Sequence, residues 1–370
     1  MINVLSVIDT LGPGGAETVF LNTCTALDPA RFRNVCVIGG EGWLADALRA
    51  RGIEPHIVAS KGSFNHVYLR QLTSLARASK ADVIAAHLYG PAIYCSMAGL
   101  ALRTPVVSVL HGQSDIGDGG RLSWLKKLSV RLGTTRMVFV SHRLKDALRA
   151  TLRLDERRCL VIPNGIDPAE FAADGTRPLR AELGLSPDRV LVGAVGNLRQ
   201  PKAYDVLLRA ARLLKDRSPR YAFAIAGQGS GELQQRLLAL RQELGLENDV
   251  NFLGLRADVA AILRSLDVYA LSSDTEGFSI ACIEAMAAGT PVVSTRSGGP
   301  EEILEDGRSG LLVPTRDPRA LADAVDRVAS DADFAATLRR NALARVAEKF
   351  SLAQMVGAYE RVFAETAKGR

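Results

Sequence analysis

Glu276 and Glu284 stand eight positions apart in the run Ser272–Val293, where a loop gives way to a helix near Ser279 and a strand follows Pro291. On a helix that spacing would put both carboxylates near one face. Glu276 falls in the loop, however, so the two can engage different parts of one ligand. A carboxylate accepting from two vicinal hydroxyls is a natural ribose contact, and Glu284 is placed for it. Gly277 lets a ligand come close to the backbone, and free N–H groups at the helix start, around Phe278 and Ser279, suit a phosphate. The helix dipole adds only about 0.3–1 kcal/mol at an exposed site, so the oriented N–H groups matter more. A second turn, Val195–Lys202, also lies between a strand and a helix and carries Gly196, Asn197, Arg199 and Lys202. Two cations on such a turn can grip a diphosphate and offset the charge of a departing nucleotide. A third candidate is the pair Gly14 and Gly15 after the first strand, and a fourth is His111 at the carboxyl end of another strand.

Taken together these stretches resemble the retaining glycosyltransferases of family 4, which have the GT-B fold. The Glu276-Gly277-Phe278 start, the Glu284-Ala285-Met286-Ala287 run and the Gly289-Thr290-Pro291-Val292-Val293 strand entry are similar to that family's E-x7-E motif. The resemblance implies that Glu284 binds the ribose and that Glu276 with Gly277, Phe278 and Ser279 meets the donor sugar and diphosphate. The Val195–Lys202 turn is similar to the family's Gly-Arg-x-x-x-x-Lys phosphate turn. Asn197 stands where an arginine is usual, and Arg199 is expected to supply the displaced charge beside Lys202. Gly14 and Gly15 resemble the family's Gly-Gly-x-Glu loop, and His111 the histidine set against the donor sugar. Gly227, in Ala226–Ser230, is similar to the turn beneath the nucleotide. Arg256, in Leu253–Arg256, resembles the segment flanking the base, and Pro163–Asp167 looks like the family's hinge entry.

The family implies retention. The leaving diphosphate itself takes the acceptor's proton, and Arg199, Lys202 and the N–H groups near Phe278–Ser279 stabilise it. Basic side chains suffice for that task, and no Asp-x-Asp pair stands in a matching position, so no metal and no cofactor are expected. Two other functions remain: a non-catalytic nucleotide-sugar-binding protein and a GT-B sugar-nucleotide epimerase.

The elements that must position these residues alternate. Near-continuously apolar strands such as Asn3–Ile8, Val83–Ala86 and Val106–Leu110 are each followed by helical periodicity, the pattern of a parallel sheet covered on both faces. The pattern breaks at Asp167–Asp188, rich in Pro and Gly, and resumes with Val190–Val195, Ala222–Ala226 and Val268–Leu271. The fold class predicted is α/β, two tandem Rossmann-like doubly wound domains with a cleft between them that receives the donor. The domains expected are residues 1–166 on the acceptor side, 167–350 on the donor side, and a C-terminal helix within 351–370 packing back on the first.

The 370 residues are 47% apolar and 23% charged, enough for two cores. Five scattered cysteines without C-x-x-C spacing fit a reducing compartment and give no zinc site. The start Met1–Ile8 lacks a basic segment and Asp9 ends its apolar run, so no signal peptide is expected, and a cytoplasmic location follows. The net charge of +6 favours anionic partners. Cations crowd the segment Arg121–Arg158, with Leu122, Trp124, Leu125, Leu128 and Leu132 among the first of them. That fits an interfacial helix docking on an anionic inner membrane surface beside a lipid-linked or glycan acceptor. It equally fits a solvated basic helix whose leucines face the core. Nucleic acid is disfavoured, because the run lacks interleaved exposed aromatics and any recognised module.

Overall fold

The structure is a computed structural model that describes residues 1–59, 65–112, 116, 123–172 and 175–369. It divides into two compact units, Met1–Gly165 with Leu352–Arg370, and Ile166–Ser351.

The first unit is a parallel sheet of β1 (Ile2–Val7), β2 (Phe32–Ile38), β3 (His56–Ile57), β4 (Val83–His87), β5 (Val106–Leu110), β6 (Arg136–Phe139) and β7 (Cys159–Val161). The strand order is β3-β2-β1-β4-β5-β6-β7. Its helices are α1 (Gly15–Ala26), α2 (Trp43–Arg49), α3 (His66–Ala78), α4 (Tyr89–Leu102), α5 (Ser123–Gly133) and α6 (His142–Leu152). β4 and β5 are buried along their whole length, as strands covered on both faces must be. β3, at the sheet edge, is only two exposed residues, His56 and Ile57.

The second unit begins with α7 (Pro168–Phe171) and α8 (Pro178–Glu182). Its sheet is formed by β8 (Val190–Val195), β9 (Tyr221–Ala226), β10 (Val250–Gly254), β11 (Val268–Leu271), β12 (Val292–Thr295) and β13 (Leu311–Val313), in the order β10-β9-β8-β11-β12-β13. It carries α9 (Tyr204–Arg217), α10 (Gly231–Glu243), α11 (Val259–Ser265), α12 (Ile280–Ala287), α13 (Pro300–Ile303), α14 (Pro318–Ser330) and α15 (Ala332–Lys349). Leu207, Leu208, Leu214, Leu321 and Val325 fill its core between α9, α14 and the sheet. Each such side chain contributes about 1.5–3 kcal/mol on burial.

Entry to and exit from the second unit are tied together: Ile166 N donates to Phe350 O and Ile166 bridges Ser351. The last helix, α16 (Leu352–Lys368), therefore returns to the first unit, where it packs on α1 and the sheet. Met355, Tyr359 and Phe363 are its buried face, and Glu360 accepts from Asp28 N and Arg31 Nη1, both at 2.8 Å.

Both sheets reverse their strand order once, between β1 and β4 and between β8 and β11. Strands on either side of such a reversal send their following helices to opposite faces, which opens a crevice beyond their carboxyl ends. The Gly14–Gly15 loop follows β1. The Lys202 turn follows β8, and the Glu276 loop follows β11. The Gly14–Gly15, Lys202 and Glu276 candidates thus lie beside the reversals, whereas His111, Gly227 and Arg256 follow β5, β9 and β10.

Candidate active site

In the second unit the site is built from two turns. The chain leaves β8 at Gly196, whose φ of +153° favours glycine. The turn lies so close to the one after β9 that a Cβ on Gly227 would stand 2.0 Å from Gly196 O. Gly196 N donates to Ala226 O and Leu198 N to Gln228 O, each at 2.8 Å. Asn197 closes this seam by accepting from Gln228 N through Oδ1 at 3.1 Å. The asparagine in place of the usual arginine is therefore a backbone staple. A 3-10 turn, Gln200–Lys202, follows and leads through Ala203 at φ +47° into α9. Tyr204 Oη donates back to Gly196 O at 2.7 Å.

The turn after β11 is zipped to this one. Asp274 N donates to Pro201 O at 2.8 Å and Ser272 Oγ to Lys202 O at 2.9 Å. The two candidate side chains meet across the seam: Lys202 Nζ lies 2.8 Å from Glu276 Oε1, both partly buried. Ser273 Oγ donates to the same oxygen at 2.6 Å. The Glu276 backbone is pinned from its other side by the loop after β12, donating to Ser297 O at 2.8 Å and accepting from Gly299 N at 3.0 Å. Arg316, after β13, binds Asp274 and also Asp205 at 3.0 Å, joining the Glu276 loop to the first turn of α9. Ser273, Gly298–Gly299 and Arg316 escaped the sequence reading. Only the Gly-Gly-Pro-Glu run after β12 carried a local signal.

Gly277 leads to Phe278, which is buried with its ring edge on Phe350. Gly299 presses on Phe278 so closely that a Cβ there would stand 2.3 Å from Phe278 Cα. Ser279 follows at φ +107°, strained for a serine, as the N-cap of α12. Its hydroxyl is buried and has no partner. An orphan donor at a helix start is what an anion would satisfy.

Glu284, one turn into α12, is half-buried. No described residue hydrogen-bonds its carboxylate. Burial, and then the neighbouring Glu170 carboxylate, push its pKa up to about 7, against the pull of Lys202. Arg199 is exposed and makes no ion pair among the described residues. Arg256 is occupied: its guanidinium pairs with Glu182 and Asp258, both at 2.7 Å. It offers a ligand a flat face rather than a free charge.

In the first unit Gly14 is the N-cap of α1. A Cβ on it would stand 2.5 Å from Glu17 Oε2, so glycine makes room for the carboxylate that folds over the Gly14–Gly15 turn. His111, just past β5, contacts a second histidine that the sequence reading missed, with His87 Nδ1 3.2 Å from His111 Nε2. Burial pushes the His111 pKa down to about 3, so the ring is neutral at physiological pH.

In the basic segment, Arg121 and Leu122 lie outside the described residues. Lys145 and Arg149 pair with Glu156, and Arg158 donates to Arg131 O. The leucines of α5 do not face the core: Val130 does, whereas Trp124, Leu125, Leu128 and Leu132 are exposed. No helix among the described residues is long and apolar enough to cross a membrane.

Comparison with known proteins gives the same picture for each half. Residues 13–170 match the profile of Glycosyltransferase Family 4, and residues 176–345 match that of Glycosyl transferases group 1. A D-inositol 3-phosphate glycosyltransferase of Corynebacterium jeikeium is 36% identical over 216 residues, 55% of this chain and 51% of that protein. An uncharacterized glycosyltransferase of Methanocaldococcus jannaschii is 32% identical over 264 residues, 67% of this chain and 66% of its own length. The chain spans about half the length of the first of these curated relatives. Among solved structures, HepE of Anabaena with UDP and glucose superposes with a TM-score of 0.89 at 22% identity, covering 99% of this chain and 100% of that one. Sucrose-phosphate synthase of Thermosynechococcus elongatus superposes at 0.83 and 18% identity, covering 100% of both chains. Each unit therefore matches a glycosyltransferase family profile, and the fold is that of the GT-B glycosyltransferases.

Proposed function

We propose that the protein is a retaining, metal-independent glycosyltransferase that moves a hexosyl group from a nucleotide sugar to a glycan or lipid-linked acceptor, in cell-surface polysaccharide or glycolipid synthesis. The observation that carries this reading is the Lys202–Glu276 contact at the strand-order reversal of the second sheet, with the Glu284 carboxylate, which no described residue hydrogen-bonds, within electrostatic reach of Lys202. Lys202, Arg199 and the Ser279 end of α12 take the diphosphate, and Glu284 takes the vicinal ribose hydroxyls. Glu276, held by Lys202 and Ser273, faces the hydroxyls of the transferred sugar. His111 and the Gly14–Gly15 turn are assigned to the same sugar. In the reaction the bond from the anomeric carbon to the diphosphate oxygen breaks. The acceptor oxygen bonds to that carbon on the same face, and its proton passes to the leaving diphosphate. The side chains orient the partners and stabilise the leaving charge, and no protein base is required.

The test is a panel of UDP-, GDP- and ADP-sugars. UDP-glucose comes first, because the Anabaena protein of the same fold was solved with it. One donor should raise the melting temperature, and with an acceptor it should yield a product whose anomeric configuration, read by NMR, matches the donor's. An inverted product would refute retention. A donor isomerised without acceptor would favour the epimerase, and binding without turnover the sensor. No shift with any donor would sink the reading.

The acceptor side is proposed to work at an anionic lipid surface. Trp124, Leu125, Leu128 and Leu132 fall within about 100° of the α5 circumference at 3.6 residues per turn, with Lys127 and Arg131 along one edge. An exposed apolar stripe edged by cations suits an interfacial helix, each cation near the surface contributing about 1 kcal/mol. In flotation, the protein should rise with phosphatidylglycerol vesicles and not with neutral ones, and the double variant Trp124→Glu, Leu128→Glu should stay behind. Wild type that stays behind with anionic vesicles would end this part of the proposal.

A further inference from the structure

His87 is the last residue of β4 and pairs in register with Val109 of β5, two residues before His111. The two imidazoles are nearly coplanar, 22° apart, with His87 Nδ1 3.2 Å from His111 Nε2. That is the geometry of an in-plane N–H···N bond, which holds one proton between the facing nitrogens. Burial keeps both rings neutral, and a neutral imidazole carries a single N–H. The two tautomers are therefore locked to each other. If His87 donates from Nδ1, His111 must carry its proton on Nδ1. If His111 donates from Nε2, its Nδ1 is an acceptor. The His87 ring is itself held: Phe20 of α1 meets it edge-on at 5.2 Å, and Tyr359 of α16 lies 6.4 Å away on a plane tilted by 30°. It is 1% exposed, and His111 is its only side-chain hydrogen-bond partner among the described residues. Packing between a phenylalanine and a tyrosine does not require an imidazole, and burying one costs desolvation that an apolar side chain avoids.

We propose that His87 is a positioning residue for His111: through the Nδ1–Nε2 hydrogen bond it holds that ring in one plane and ties the proton position on His111 to that on His87. It thereby sets whether the other nitrogen of His111 donates to, or accepts from, a hydroxyl of the transferred sugar. The sugar half of this statement rests on the function proposed above; the tautomer half does not.

The experiment uses the full chain and three variants. His87→Leu keeps an apolar filling and removes the bond. His87→Asn places an amide where Nδ1 stood, and His87→Gln reaches instead towards the position of Nε2. The first readout, long-range nitrogen–proton NMR of the His111 ring, needs no substrate. His87→Leu and His87→Gln should shift the ratio of His111 tautomers away from that of wild type, and His87→Asn should shift it less. The second readout is transfer kinetics. His87→Leu should lower kcat by about 10- to 100-fold, with the KM for donor changed by less than about threefold, and His87→Asn should recover most of the loss. If His87→Leu does not fold, the contrast between Asn and Gln carries the test. An unchanged His111 tautomer ratio in Leu or Gln, or wild-type kcat in either, would overturn the proposal. Absence of transfer by the wild type with every donor would refute the assigned function and the sugar half with it, and the NMR arm would decide the tautomer half by itself.

Discussion

Lys202→Met lowers kcat for sugar transfer by about 10²–10³-fold, the usual cost of removing one preorganised group that stabilises a developing charge. Methionine keeps the apolar stem that runs beside Gly196, where a glycine Cβ would stand only 3.0 Å from Lys202 Cε. What disappears is the ammonium, and it has two tasks. It holds Glu276 at 2.8 Å, and it is assigned to the diphosphate once donor arrives. Without it the Glu276 carboxylate keeps only Ser273 and repels the incoming phosphates, so donor affinity falls as well. Lys202→Arg should recover only part of the activity, because a planar guanidinium does not follow the path of a point-charge ammonium past that glycine. Stopped or steady-state kinetics beside a melting curve separate this from misfolding. A folded Lys202→Met protein with wild-type kcat would remove Lys202 from the chemistry.

Glu284→Gln weakens nucleotide binding by about 10- to 100-fold, the equivalent of one hydrogen bond to a charged group. Without ligand it has the opposite effect on stability, and the sign follows from the raised pKa. Glu284 ionises near 7 in the fold, against an ordinary glutamate value of 4.5. Between those values the folded chain holds a proton that the unfolded chain has released, so stability falls as pH rises through that window. Glutamine has no such dependence. The melting temperature of the variant, relative to wild type, should therefore climb from pH 5 to pH 8. Over the same range wild-type affinity for donor should rise, because the ionised carboxylate accepts from both ribose hydroxyls. Parallel pH profiles for the two proteins, with equal affinity, would contradict both the burial and the ribose assignment.

The strand–helix alternation was legible because buried parallel strands are apolar throughout. β9, buried at all six positions, is an example. α4 is the counter-case: Tyr89–Leu102 is buried nearly all round and has no polar face, so it leaves no helical period to find. The E-x7-E run could be read because its chemistry sits in one contiguous segment. Contacts that join distant segments could not. The His87–His111 pair depends on two neighbouring strands ending level. The Arg316 bridge draws together the loops after β11 and β13 with the first turn of α9. Arg256 is paired with Glu182, 74 positions away, a contact that spacing along the chain does not show. The α5 leucines read equally well as core or as surface, because spacing defines a face without saying what that face meets.

The central claim is that the two zipped turns of the second unit hold the donor's diphosphate. Amide hydrogen exchange with and without saturating nucleotide diphosphate tests it most directly, since local opening is suppressed where a ligand bridges two segments. The account predicts slowed exchange in the peptides covering Val195–Lys202 and Ser272–Glu284 together. Bound nucleotide that leaves both peptides unchanged and protects a different part of the chain would contradict it.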